Sequence, residues 1–262
     1  LNLRWKKITA IFISHMHADH VTGLPGILML SSQVDREEPL YIFGPPKIAE
    51  FVDQNRHLLD MYINYEIIVR EIYEAGTIWQ GDDYSIRAFP LKHTKMCFGY
   101  ALEESKRPGV FYPEKALALG VPRGPLWSEL QSGKTVRLTE GSSIKPSEVM
   151  GEPRSGRKFS FVTDTLYFPE IAQEVSNSDL LICEGMFEHA LIESAVDKRH
   201  MTAHQAALIA RDAGNIKKLG LIHYSPRYAD RELKILLDEA REIFPDTVLT
   251  KDRMRFPIEF VD

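Results

Sequence analysis

The stretch His15-Met16-His17-Ala18-Asp19-His20, directly after the apolar run Ile11-Phe12-Ile13, decides how this chain is read. Three histidines and one aspartate fall within six positions. A strand cannot aim all four side chains at one point, because successive side chains alternate faces. A tight loop at the end of a strand can, and α/β sheets place their sites at the C-terminal ends of strands. Imidazole and carboxylate ligands suit zinc and, with more carboxylate, manganese or iron. Four candidate ligands are more than one tetrahedral ion takes from one loop, so two metals sharing it are expected. A histidine-rich surface tag would be polar all round, whereas strand-like residues 8–13 and Gly23-Leu24-Pro25-Gly26 flank this cluster.

The rest of the chain has the composition of a globular enzyme. Its 262 residues are 44% hydrophobic and 26% charged, enough to bury a sizeable core. A net charge of −5 excludes a global basic field, so nucleic-acid binding has to come from a local patch. No apolar run approaches membrane-spanning length and no signal peptide is visible, so neither membrane contact nor export is expected. Cys97 and Cys183 are too few for a disulfide framework. Each lies beside an apolar stretch and reads as a free, half-buried thiol, which fits a reducing cytosol.

Outward from the histidine loop, the pattern alternates strand and helix. Residues 8–13, 40–43, 65–69, 84–89 and 98–102 read as strands. Residues 21–30 read as a helix start with Gly23 and Pro25 in its first turn, and residues 48–59 have helical spacing. From residue 105 to about 156 periodicity fades and Pro and Gly accumulate, the mark of a functional or mobile segment. Between Ser105 and Lys134, Lys106, Arg107, Lys115, Arg123 and Lys134 face only Glu114 and Glu129, with Tyr112 and Trp127 interleaved. Basic plus aromatic residues in an insert suit a nucleic-acid arm, and an ordinary solvated loop has the same look. Regular structure returns with strands 158–163, 180–183 and 219–222. A helix over 202–213 has Thr202 and Gln205 as a capping box and Gly214 as its end, and 231–244 is an amphipathic helix.

One pattern recurs: a strand runs into a potential ligand. The loop from His15 to His20, then His93, Asp164 and His223, all follow strands. Alternating α and β elements line such ends up along one sheet edge. His15, His17 and His93 would hold one metal. Asp19, His20 and His223 would hold the other, and Asp164 would bridge them with its two oxygens. Two metals about 3.5–4 Å apart clamp a phosphate and lower the pKa of a water between them toward 7. The leaving oxygen needs an acid. His200, just before the capped helix, is the candidate, with Glu184 at a strand end to orient and charge it, or to serve only as a carboxylate behind the ligands. His57 reads as surface; His189 and His204 read as surface or as support behind the ligands.

The motifs resemble those of the metallo-β-lactamase-fold hydrolases, and within them the ribonuclease Z family of tRNA 3′-processing endonucleases. The carriers are His-x-His-x-Asp-His followed by Gly23-Leu24-Pro25-Gly26, then Phe43-Gly44-Pro45, and His93 followed by Phe98-Gly99-Tyr100. Further on come residues 120–127 with Gly133-Lys134, Thr163-Asp164-Thr165, His200-Met201-Thr202, and His223-Tyr224-Ser225-Pro226-Arg227-Tyr228. The resemblance covers essentially the whole chain, in order. It implies an α/β metallo-β-lactamase fold, a four-layer αββα sandwich, as a single domain over residues 1–262. A flexible tRNA-binding arm would be inserted at about 105–135. It implies two Zn²⁺ ions, with Mn²⁺ as an alternative, on the ligands already named. Asp19 would also orient the attacking water as general base, and His200 paired with Glu184 would protonate the leaving oxygen. Precursor tRNA would be cut 3′ of the discriminator base, leaving a 3′ hydroxyl, by a cytoplasmic homodimer. Lys106, Arg107, Lys115, Arg123, Trp127 and Arg227 would contact the substrate.

Two departures stand out. The family's Leu-Gly-Thr-Gly and Asp-x-Gly-Glu strands, upstream of the histidine loop, have no counterpart here, which implies an N-terminally incomplete domain with an exposed sheet edge. Met201 stands where the family has serine. Two other functions fit the same ligands: a phosphodiesterase or sulfatase acting on small esters, for which the basic arm has no use, and a tRNA-binding paralogue that does not cut, for which a full ligand set has no use.

Overall fold

A computed structural model describes residues 5–34 and 36–260. The chain divides into two compact units, residues 1–102 with 158–258, and residues 103–157 with 259–262. In chain order the elements are β1 Ala10–Phe12, α1 Ala18–Val21, α2 Leu24–Ser32, β2 Leu40–Gly44, α3 Ile48–Leu58, β3 Ile67–Glu71, β4 Gly76–Gln80, β5 Tyr84–Lys92 and β6 Met96–Glu104. They continue with α4 Pro113–Ala118, α5 Pro125–Gln131, β7 Val136–Arg137, β8 Ser143–Ile144 and α6 Pro146–Val149. The last are β9 Lys158–Val162, α7 Ile171–Glu174, β10 Leu180–Glu184, α8 Ile192–Lys198, α9 Ala203–Asp212, β11 Leu219–Ile222, α10 Leu233–Ile243 and β12 Thr247–Leu249.

The first unit is built on two sheets. One is β1-β2-β3, all parallel. The other has the order β12-β11-β10-β9-β6-β5-β4, with β9 to β12 parallel and β4 antiparallel to β5. Period-two alternation sorts the side chains between faces. Along β1 and β2, Ile11, Leu40 and Ile42 join a core with α2 and α3 residues Leu24, Leu28, Ile48 and Val52. The alternate residues Ala10, Phe12, Tyr41 and Phe43 turn the other way and meet Ala88, Phe98 and Tyr100 of the large sheet. The far face of the large sheet packs Val162, Leu181, Cys183, Leu219 and Leu221 under Ala203, Ala206, Ala207 and Ala210 of α9 and Leu236 and Ala240 of α10. Helices, sheet, sheet, helices is the four-layer αββα order the motifs imply. The alanine row on α9 lets that helix sit close to the sheet.

The capping box at the start of α9 forms as its sequence dictates: the Gln205 N–H donates to Thr202 Oγ1 at 3.2 Å, and the Thr202 N–H donates to Gln205 Oε1 at 3.1 Å. Cys97 and Cys183 are not half-buried but fully so, because both sit on sheet strands under that helical layer; burial pushes both thiols up. The close approach of strands also sets one glycine. A Cβ on Gly99 would lie 2.4 Å from the Phe89 ring and 3.0 Å from the Phe161 carbonyl, and Phe89 is itself fully enclosed. Gly99→Ala should therefore cost about 1–3 kcal/mol, the usual penalty of overpacking, read as a fall in urea midpoint without a change in slope. An unchanged midpoint would show that the strands move apart freely.

The second unit has regular structure where the sequence pattern fades. Pro113, Pro125 and Pro146 each open a short helix, the position where a fixed φ and a missing N–H cost nothing. Gly120, Gly124, Gly133 and Gly141 take positive φ between them. Ala116, Val121, Leu130, Val136, Leu138, Ile144 and Val149 form a core of their own. The helices are too short for an apolar period to show, so the Pro and Gly that start and turn them read as loop.

Candidate active site

Four strand ends deliver the site. β1 runs into the histidine loop, β5 ends at Lys92 next to His93, β9 ends two residues before Asp164, and β11 ends at Ile222 next to His223. The carboxylate of Asp164 lies at the centre, 2% exposed. Its Oδ2 is 3.6 Å from His15 Nε2, 3.8 Å from His93 Nε2 and 3.4 Å from His20 Nε2. Its Oδ1 is 3.5 Å from His223 Nε2.

Three imidazole nitrogens meet on one side of this carboxylate. His17 Nδ1 is 3.0 Å from His15 Nε2 and 3.2 Å from His93 Nε2. Ligand atoms on a tetrahedral zinc ion, each at about 2.0–2.1 Å, stand roughly 3.3 Å apart, so this donor set fits one ion. The groups able to hold a metal among the described residues are His15, His17, His93 and Asp164; Asp19, His20 and His223; and Asp164, His200 and His223. The seven ligand positions expected from the sequence are thus gathered in one place. Asp19 is the most exposed of them, its side chain 3.5 Å from His20 Nε2.

The outer face of each ring decides which nitrogen is free. His93 Nδ1 stands 2.9 Å from the Arg199 carbonyl, which can only accept, so Nδ1 carries the proton and Nε2 keeps its lone pair. Arg199 itself caps α8 in the left-handed region, φ 57. His15 Nδ1 faces Ser14 Oγ at 3.1 Å, and His17 Nε2 faces Thr94 Oγ1 at 3.2 Å. Burial, reinforced by the neighbouring histidines and opposed by Asp164, lowers His15 to about 3; burial and His93 lower His17 as well. Both are neutral near pH 7, the state that binds a metal. Burial alone would raise the Asp164 carboxyl, yet the His20 hydrogen bond, the His223 charge and the Thr163 hydroxyl hold it well below the usual carboxylate range. Burial pulls His223 down, but Glu184 and Asp164 outweigh it and raise it.

Beyond the ligands lies a dyad. His200 Nδ1 donates to Glu184 Oε2 at 3.0 Å, and Glu184 is fully buried with its other oxygen accepting the Thr165 N–H at 2.6 Å. The same Oε2 is 3.7 Å from His223 Nδ1, a buried nitrogen without a hydrogen-bond partner. Glu184 therefore stands behind both the acid candidate and a ligand. Met201 is fully buried in the core under α9, while Thr202 caps the helix, so the residue at this position is packing and not site.

The expected substrate residues divide. Lys106, Lys115, Arg123 and Arg227 are exposed. Trp127 is half-buried against the core of the second unit, its Nε1 donating to the Val121 carbonyl at 3.2 Å. Arg107 lies with its guanidinium carbon 3.8 Å from the centre of the Phe260 ring. His57 is exposed, and His189 and His204 lie tilted with ring centres 4.2 Å apart and belong to none of the ligand groups. The sequence marks no role for Ser14 and Thr94, though each is a small polar neighbour of a candidate ligand, and it marks Thr163 and Thr165 only as the flanks of Asp164. Arg199 leaves no such signal, since it acts through its backbone.

This fold and this cluster define a metal-dependent hydrolase of the metallo-β-lactamase superfamily. A family profile described as Beta-lactamase superfamily domain matches residues 2–116. Ribonuclease Z of Treponema denticola is 63% identical over 262 residues, covering 100% of this chain and 85% of that protein. Ribonuclease Z of Treponema pallidum is 58% identical over 260 residues, covering 99% and 84%. The chain belongs to the ribonuclease Z family. The crystal structure of human tRNase Z, short form, superposes with a TM-score of 0.66 at 21% identity, covering 98% of this chain and 82% of that one, a likeness of fold. The metallo-beta-lactamase fold protein YhfI from Bacillus subtilis superposes with a TM-score of 0.59 at 18% identity, covering 95% and 76%.

Proposed function

We propose that this protein is a zinc-dependent endoribonuclease that cleaves precursor tRNA 3′ of the discriminator base and leaves a 3′ hydroxyl. The observation that carries the reading is the set of six candidate ligands around Asp164 with the His200–Glu184 pair immediately behind it. Asp164 lies between the two groups, Oδ2 toward His15, His93 and His20 and Oδ1 toward His223; His15, His17 and His93 would hold one ion and Asp19, His20 and His223 the other, with Asp164 shared. The imidazole-rich donor set favours zinc over manganese. Bound ions would supply Lewis-acid stabilisation of the phosphodiester and a water acidic enough to attack near neutral pH. The residues do the rest. Asp19, the exposed carboxylate beside His20, receives the proton of the attacking water. His200, its Nδ1 tied to Glu184, presents Nε2 to the leaving oxygen and protonates it. Glu184 holds and orients the ring by a buried hydrogen bond.

The second unit serves as the tRNA arm on a single metallo-β-lactamase-fold domain, its exposed Lys106, Lys115 and Arg123 meeting phosphates, and the protein works as a cytoplasmic homodimer. No helix among the described residues is long and apolar enough to cross a membrane.

The test is cleavage of a 3′-extended precursor tRNA with the product end mapped. A cut after the discriminator base, abolished by a chelator and restored by zinc, is expected. Activity on a small phosphodiester with no cut in the tRNA would replace this reading with that of a small-ester phosphodiesterase.

A further inference from the structure

The base of the second unit is a two-stranded stem. Glu104 N–H donates to the Arg157 carbonyl at 2.9 Å, Arg107 and Arg154 exchange backbone bonds at 2.8 and 2.9 Å, and Gly151 N–H donates to the Val110 carbonyl at 2.8 Å. Arg157 also donates to the Glu104 carboxylate, at 2.9 Å from Nε and 2.5 Å from Nη2, which lowers that carboxyl below its ordinary value. The stem is narrow: Cβ atoms on Gly109 or Gly156 would fall within 1.9 Å and 2.3 Å of backbone oxygens on the facing side.

Phe260 joins this stem from the far end of the sequence. The Arg107 guanidinium carbon lies 3.8 Å from the centre of its ring and that of Arg157 4.1 Å. Two planar cations that close to one ring centre fit only on opposite faces. Arg107 belongs to one strand of the stem and Arg157 to the other. Phe260 is thus held between one cation from each strand, and both of its π faces are used.

We propose that Phe260 is a staple for the stem of the inserted unit and, through it, a positioning residue for tRNA. The inference rests on the reading of that unit as the tRNA arm. A ring covered on both faces by guanidinium groups is not a platform for a nucleotide base, although Phe260 is 44% exposed. What it does instead is join the two strands, so that the chain leaving the second unit stays in register with the chain entering it. An arm whose two strands stay paired while it holds tRNA uses such a staple; hydrolysis of a small phosphodiester does not. Arg107 is then a member of the stem and contributes to substrate binding through geometry.

The experiment uses the full chain with Phe260→Ala, Phe260→Leu and Phe260→Trp. Amide hydrogen exchange is followed at Glu104, Arg107, Gly151 and Arg154. Two exposed cation–π contacts convert to roughly a five- to thirty-fold loss of protection against local opening in the Ala and Leu variants, with Trp close to the original. The KM for 3′-extended precursor tRNA should rise in Ala and Leu, with turnover of bis(p-nitrophenyl) phosphate and metal content unchanged. Unchanged protection in Phe260→Ala overturns the staple. Lost protection with an unchanged KM for tRNA overturns the positioning role. If the unsubstituted protein cuts no precursor tRNA, the reading of the arm fails, and hydrogen exchange still decides the staple.

Discussion

Asp164→Ala should abolish metal binding at the shared position and, with it, hydrolysis. In the native chain this carboxylate is 2% exposed and touches both ligand groups, Oδ2 toward His15, His20 and His93 and Oδ1 toward His223. It is a buried carboxylate among four imidazoles, and the His20 hydrogen bond, the His223 charge and the Thr163 hydroxyl keep it ionised. Removing it leaves imidazole nitrogens, which carry no negative charge to offset that of a divalent ion. Zinc measured on purified protein should drop from two per chain to one or none. Metal chemistry of this kind is worth several kcal/mol of transition-state stabilisation, so the rate should fall on the order of 10³–10⁴-fold. The circular dichroism spectrum should be retained, because the layers around the site are built by apolar contacts elsewhere. Two zinc ions per chain in the variant would remove Asp164 from its bridging role.

His200→Ala should have the second-largest effect, and it separates an acid from a ligand. His200 belongs to a group that can hold a metal with Asp164 and His223, yet its Nδ1 is committed to Glu184 at 3.0 Å. If it is the acid, kcat on precursor tRNA falls by about 10²–10⁴-fold, the usual range for general acid–base catalysis, while zinc content stays the same. The loss should nearly vanish on bis(p-nitrophenyl) phosphate, whose leaving group departs without a proton. Loss of a zinc ion, with equal damage on both substrates, would make His200 a ligand instead. Glu184→Gln should show the same selectivity at smaller amplitude, with some weakening of metal affinity, because Glu184 also lies 3.7 Å from His223 Nδ1.

Much of the site was legible before the fold. Ligand chemistry belongs to residue types, and the strand-then-ligand rhythm at His15–His20, His93, Asp164 and His223 marks which histidines and carboxylates share a sheet edge. Short apolar runs named most strands of both sheets, and the Thr202–Gln205 pair marked the start of α9. Less legible were β4 and β12, short strands whose apolar content is unremarkable, and the second unit, where the prolines that open helices carry the same signal as a loop.

The sequence by itself determined the candidate donor set, the alternation of strand and helix and the local excess of basic charge, because each depends on residue type and on spacing within one element; the αββα layering came from the family resemblance. Only the tertiary structure decided which nitrogen of each ring faces inward. That choice belongs to Ser14, Thr94 and the Arg199 carbonyl, partners that packing delivers. It alone put Phe260 between Arg107 and Arg157 and buried Glu184 behind both His200 and His223. Contacts between residues far apart in the chain leave no periodic trace, since their distance is set by how the layers close and not by the residues between them.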